Sequence, residues 1–101
     1  MLIRVVGPVL ADFGVPDTMA DPQLEVVPLG QPFVIAANDN WGGTVALKNA
    51  FASVGAFAFP NAQSKDAAVV VRLPPGGYTV RVMGANQTTG VVLVEAYDLD
   101  P

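Results

Sequence analysis

The chain has 101 residues, nine acids against five cations, and a net charge of −4; that length fits one domain, able to bury roughly two thirds of the surface its unfolded chain exposes. With 51% hydrophobic and 14% charged residues it is too apolar for a disordered segment, yet no apolar run approaches the ~20 residues that span a bilayer. It contains no histidine and no cysteine, which excludes Ser-His-Asp and Cys-His catalysis, imidazole and thiolate metal sites, and a disulfide framework.

In chain order, Leu2–Val6 reads as a β-branched strand ended by Gly7-Pro8. It is too short, and lacks the apolar h-region, to read as a signal peptide. Val9–Asp21 reads as a compact connection, with Leu10, Phe13 and Val15 as core plugs. Gln23–Val27 alternates as a second strand, and Pro28-Leu29-Gly30 turns into a third over Pro32–Ala37, centred on Phe33-Val34-Ile35. After the polar stretch Asn38–Gly43, Thr44 caps a short helix running to Val54. Leu47, Phe51 and Val54 make its apolar face and Gly55 its stop. Ala56–Asp66 is irregular, with Phe57 and Phe59 buried. Ala67–Leu73, Tyr78–Gly84 and Val91–Tyr97 read as three strands joined by short turns, Pro74–Gly77 and Ala85–Gly90, hence as an antiparallel meander. In its middle strand Tyr78, Val80 and Val82 form the buried face.

Six strands, one short helix and many Gly/Pro turns predict an all-β fold, an antiparallel β-sandwich or jelly-roll-like module with one helix. It spans residues 1–101 as a single unit, with 98–101 as an exit tail.

The candidate chemistry is sparse. Arg4, Lys48, Lys65, Arg72 and Arg81 are scattered, so there is no basic stripe for nucleic acid and no patch for an anionic membrane. Asn38, Asp39 and Asn40 place three side-chain oxygens together, and with Asp66 they form a candidate Ca²⁺ site; the other reading is an Asx turn organising the loop. Trp41, beside Gly42-Gly43, is either a sugar-stacking platform or a core plug. Glu95 has no second acid near it in sequence for glycosidase chemistry, and pairs instead with Arg4, Arg72 or Arg81 across strands. Ser64-Lys65 is a solvated turn, and Pro74–Gly77 lacks the Lys-Ser/Thr and following helix of a phosphate loop. No enzyme is expected.

Several segments in order resemble a known module. These are Ile3–Pro8, Phe13-Gly14-Val15, Ala20-Asp21-Pro22, Asn38–Gly42, Val54–Phe57, Lys65–Ala68, Leu73–Gly76, Thr88–Val91 and Val94–Asp98. Together they resemble a repeat-type β-sandwich module of large secreted and surface proteins of environmental bacteria. The Asn-Asp turn and the Pro-Gly-Gly-Tyr-Thr-Val hairpin are distantly similar to bacterial pre-peptidase C-terminal domains, β-sandwiches of which some depend on calcium. The resemblance implies an extracellular or cell-surface, non-catalytic structural or adhesive role, with no required cofactor. It implies as partners other copies or adjacent modules of the same polypeptide, and surface glycans or Ca²⁺ under the alternative of a binding module. Members of that family usually carry strand-like sequence before the position of Leu2, which this chain lacks. Either the chain is a shortened variant or the sheet has an open edge, and an open edge carries the expectation of self-assembly into a filament.

Overall fold

A computed structural model describes residues 1–99; Asp100 and Pro101 of the expected exit tail lie outside the described residues. Six strands form two antiparallel three-stranded sheets. They are β1 (Leu2–Val6), β2 (Pro22–Pro28), β3 (Ala36–Asn38), β4 (Ala67–Val70), β5 (Tyr78–Gly84) and β6 (Leu93–Tyr97), with helix α1 (Val45–Ser53) between β3 and β4. The sheet orders are β4-β1-β6 and β3-β2-β5.

β1 is central because all five of its residues are buried, and a strand apolar on both faces needs cover above and below. On one face Ile3 and Val5 join Ala67 of β4 and Leu24 and Val26 of β2 in an apolar cluster that draws on both sheets. On the other, Leu2 and Val6 pack with Val9, Leu10, Trp41, Phe51 and Phe59. The aromatic half of that second cluster is built by α1 and the irregular chain on either side of it: Trp41 stacks on Phe51 at 5.5 Å, and Phe51 meets Phe59 edge-on at 4.9 Å.

The helix follows local chemistry. Thr44 Oγ1 accepts from Leu47 N at 3.3 Å, and Gly55 takes the left-handed conformation just past the end, with φ 70°. Phe51 is buried, with Leu47 and Val54 packed beside it. β5 alternates as the sequence predicts, Tyr78, Val80 and Val82 half-buried and Thr79, Arg81 and Met83 exposed.

Three expectations are corrected. The third strand is not centred on Phe33-Val34-Ile35, which are 52%, 41% and 39% exposed. Pro32 offers no N–H to a ladder, and pairing with β2 begins only where Ile35 N reaches Val26 O at 2.9 Å, so β3 is Ala36–Asn38. Phe13 is not a core plug; it is 63% exposed, its ring set edge-to-face with Phe57 at 5.0 Å. The last three strands are no meander: β4 and β6 flank β1, while β5 pairs with β2. Short turns favour neighbouring pairs, but Pro74-Pro75 supplies no ladder donors. The buried β1 recruits a partner on each edge instead. The chain crosses to the second sheet after β4 and returns after β5. That return is tight, because a Cβ at Gly84 would lie 1.7 Å from Thr88 O, so only glycine fits.

Candidate functional site

Each predicted site residue acquires a definite environment. Asp66 is fully buried. Its Oδ2 accepts from Gly7 N at 2.8 Å and Val9 N at 3.1 Å, and its Oδ1 accepts from the Ser64 hydroxyl. The carboxylate thus satisfies amides left over where β1 ends and the 3-10 turn Pro8–Phe13 begins. Asn38 Oδ1 accepts from Ala68 N at 3.1 Å, tying β3 to β4, and Asn40 is exposed. The Asn38 and Asp66 oxygens are thus engaged by backbone amides and a hydroxyl of the fold.

Trp41 is 2% exposed. Its indole is enclosed by Phe51 and Phe59, its Nε1 donates to Asn61 O at 3.2 Å, and its amide donates to Asp66 O at 3.0 Å. No indole face is open for a pyranose to stack on. A cleft of about 290 Å³ lies beside it, with Lys48, Ala52 and Ala58 among its lining.

Asp39 is brought to the last residue of the Val9–Asp21 connection. It lies against Asp21, and both Oδ1 atoms are buried without a protein partner. Burial, then the hydrogen bond and charge of Asp39, raise the Asp21 pKa, against the pull of Lys65. Lys65 Nζ stands 3.9 Å from Asp21 Oδ2. Asp39 also borders a cleft of about 300 Å³ with Gln23, Glu25 and Met83. Among the described residues, no three or more acids gather into a metal-holding group.

The most elaborate polar arrangement centres on Arg4, fully buried on β1. Its Nε and one terminal nitrogen donate to Glu95 Oε1 at 2.9 and 2.6 Å, and the other terminal nitrogen donates to Phe57 O at 2.6 Å. The rings of Phe51, Phe57 and Phe59 surround the guanidinium carbon at 4.4–4.6 Å, a cation–π cage. Tyr97 donates to Glu95 Oε2 at 2.5 Å. That hydrogen bond, then burial and the Glu95 charge, push the Tyr97 phenol up, opposed by Arg4. Of the three partners open to Glu95 in sequence, the structure selects Arg4; Arg81 pairs with Glu25 at 2.8 Å. A lone arginine in an apolar strand is the signal for this centre, but nothing local indicates the aromatic cage.

No protein-family model, curated protein or solved structure matches the chain. Among the described residues, no helix is long and apolar enough to cross a membrane.

Proposed function

We propose that the chain is a non-catalytic structural or adhesive module of a bacterial extracellular protein, its two sheets facing one another as a β-sandwich and its contacts made through sheet edges. The observation that carries this reading is how the buried charges are used. Arg4, Glu95 and Asp66 hold strands and loops together through direct bonds, which is the use a structural module makes of buried charge. The cluster shared by Ile3, Val5, Leu24 and Val26 supports the face-to-face arrangement of the sheets. Assembly through edges stays open, as a filament, when two unlike edges meet; it closes when one edge meets itself. Light scattering at rising concentration tests the reading. Mass growing beyond the 10.5 kDa chain supports it, and a monodisperse monomer at millimolar concentration overturns it.

A second reading, cation binding, is favoured by one observation: the unpartnered buried oxygens of Asp21 and Asp39. Ca²⁺ takes about 6–8 oxygens, so two carboxylates need further ligands from backbone and water. Ca²⁺ that binds only the folded state raises the melting temperature, and EDTA reverses the rise. An unchanged Tm with millimolar Ca²⁺ removes this reading.

A further inference from the structure

Backbone pairing determines which edges of the sheets are free. Met1 and Val71 exchange both backbone bonds, at 2.8 and 2.9 Å. Alternation along an antiparallel strand then turns the amides and carbonyls of Ile3 and Val5 toward β4, and those of Leu2, Arg4 and Val6 toward β6. In the β1–β6 register these last three face Tyr97, Glu95 and Leu93. The N–H and C=O groups of Val92, Val94 and Ala96 therefore point away from the sheet. The same alternation turns Asp66 and Ala68 outward on β4, but there Trp41 N donates to Asp66 O and Asn38 Oδ1 accepts from Ala68 N. The β4 edge is covered at Asp66 and Ala68, though not at Val70, whereas among the described residues the outward groups of β6 have no backbone partner.

Side chains agree with the backbone. Natural edge strands are blunted by charges and prolines. β5, the edge strand across the other sheet from β3, carries the exposed cation Arg81. Within β6 the one charged residue is Glu95, and it is turned inward to Arg4. Val94 shares its face with Val5, whose side chain lies in the cluster drawn from both sheets, yet Val94 is 45% exposed. It is a half-exposed valine on the inward face, at the rim of an apolar layer.

We propose that β6 pairs antiparallel with β6 of a second copy, about a two-fold axis at Val94. This rests on the edge-assembly reading above and names its edge and symmetry. With the axis at Val94, Val92 lies across from Ala96 of the second copy, and Glu95 across from Leu93 of the second copy, so the two carboxylates never face each other. The pairing extends the sheet to six strands, continues the apolar layer across the axis, and has no charge to desolvate, because Glu95 already has its cation. An extended strand is the one occupant that satisfies a row of backbone donors and acceptors, and the copy supplies an identical one whose sequence suits this register. Because the β6 edge meets itself, the contact is used up by the pair and assembly through it closes at two chains.

Sedimentation equilibrium of the wild type, Val94→Pro, Val94→Lys and the β5 control Thr79→Lys tests this. Proline at 94 removes an N–H that the β1 ladder does not use, and circular dichroism checks that each variant is folded; the lysine variant covers the case in which the proline variant is not. The wild type and Thr79→Lys should approach twice the 10.5 kDa chain mass as concentration rises, while both Val94 variants stay at the monomer mass. Association that survives both Val94 substitutions, or growth past the dimer, overturns the β6 two-fold and leaves edge assembly standing. A wild type that never leaves the monomer mass overturns both.

Discussion

Arg4 and Glu95, 91 positions apart in sequence, are direct neighbours in the β1–β6 register and bond through two guanidinium nitrogens. The arginine side chain is completely buried and the glutamate side chain is 15% exposed, so the two do not bear the loss of the other equally. A buried cation stripped of its partner is more costly than a carboxylate that can still reach water.

Glu95→Ala should therefore destabilise the protein by ~3–5 kcal/mol, and Arg4→Met by less, since methionine fills the aromatic cage and Glu95 retains some solvent. Urea denaturation of both variants and of the double variant checks the order. A Glu95→Ala protein as stable as Arg4→Met would mean that the cage, rather than the ion pair, holds Arg4.

Tyr97 should ionise above the usual tyrosine value of 10.0, chiefly because its hydroxyl donates to Glu95. Removing the charge with Glu95→Gln should lower the midpoint in a spectrophotometric titration. No movement would place the cause elsewhere.

Asp66→Ala leaves the amides of Gly7 and Val9 buried without an acceptor, at about 1–3 kcal/mol for each unpaired group. Asp66→Asn keeps one acceptor oxygen and should lose less. Thermal unfolding distinguishes them, and equal losses would argue that charge, not acceptor geometry, is what the site needs.

Asp21 predicts a pH dependence of defined sign. Its folded pKa lies above the unfolded value, for burial and for the neighbouring Asp39, so the folded state binds the proton more tightly. The stability this contributes is present below the unfolded value and is lost as pH rises through the folded one. Asp21→Asn should raise Tm at pH 7 by a few degrees and have a smaller effect near pH 4. A gain that is the same at both pH values would rule out the carboxyl pair as its source.

Trp41 is the sole tryptophan, and its burial between Phe51 and Phe59 predicts blue-shifted emission and weak quenching by acrylamide. Soluble glycans should leave the emission unchanged. Trp41→Ala should cost ~3–5 kcal/mol, as truncation of a large core aromatic does.

The structure reproduces the helix bounds and the strand alternation that the chain states locally, though not the strand read over Phe33-Val34-Ile35. Thr44 and Gly55 bound the helix because an N-cap acceptor and a left-handed glycine act within a few residues. Tyr78, Val80 and Val82 alternate because the strand period is a property of the backbone alone. Strand partnership is different. Turn chemistry at Pro74–Gly77 indicates a hairpin, yet β5 leaves for the other sheet, because the demand for partners on both edges of β1 comes from residues some 65 and 90 positions away. The same distance hides the role of Asp66, whose acceptors answer amides of Gly7 and Val9, and the meeting of Asp21 with Asp39. Sequence by itself determined that the chain makes strands, one capped helix and a core without cysteine or histidine chemistry, since those follow from composition and short-range backbone preference. Only the tertiary structure decided which strand lies beside which, which charges are buried, and that among the described residues β6 is an edge strand, since each of these depends on which distant segments share a neighbour.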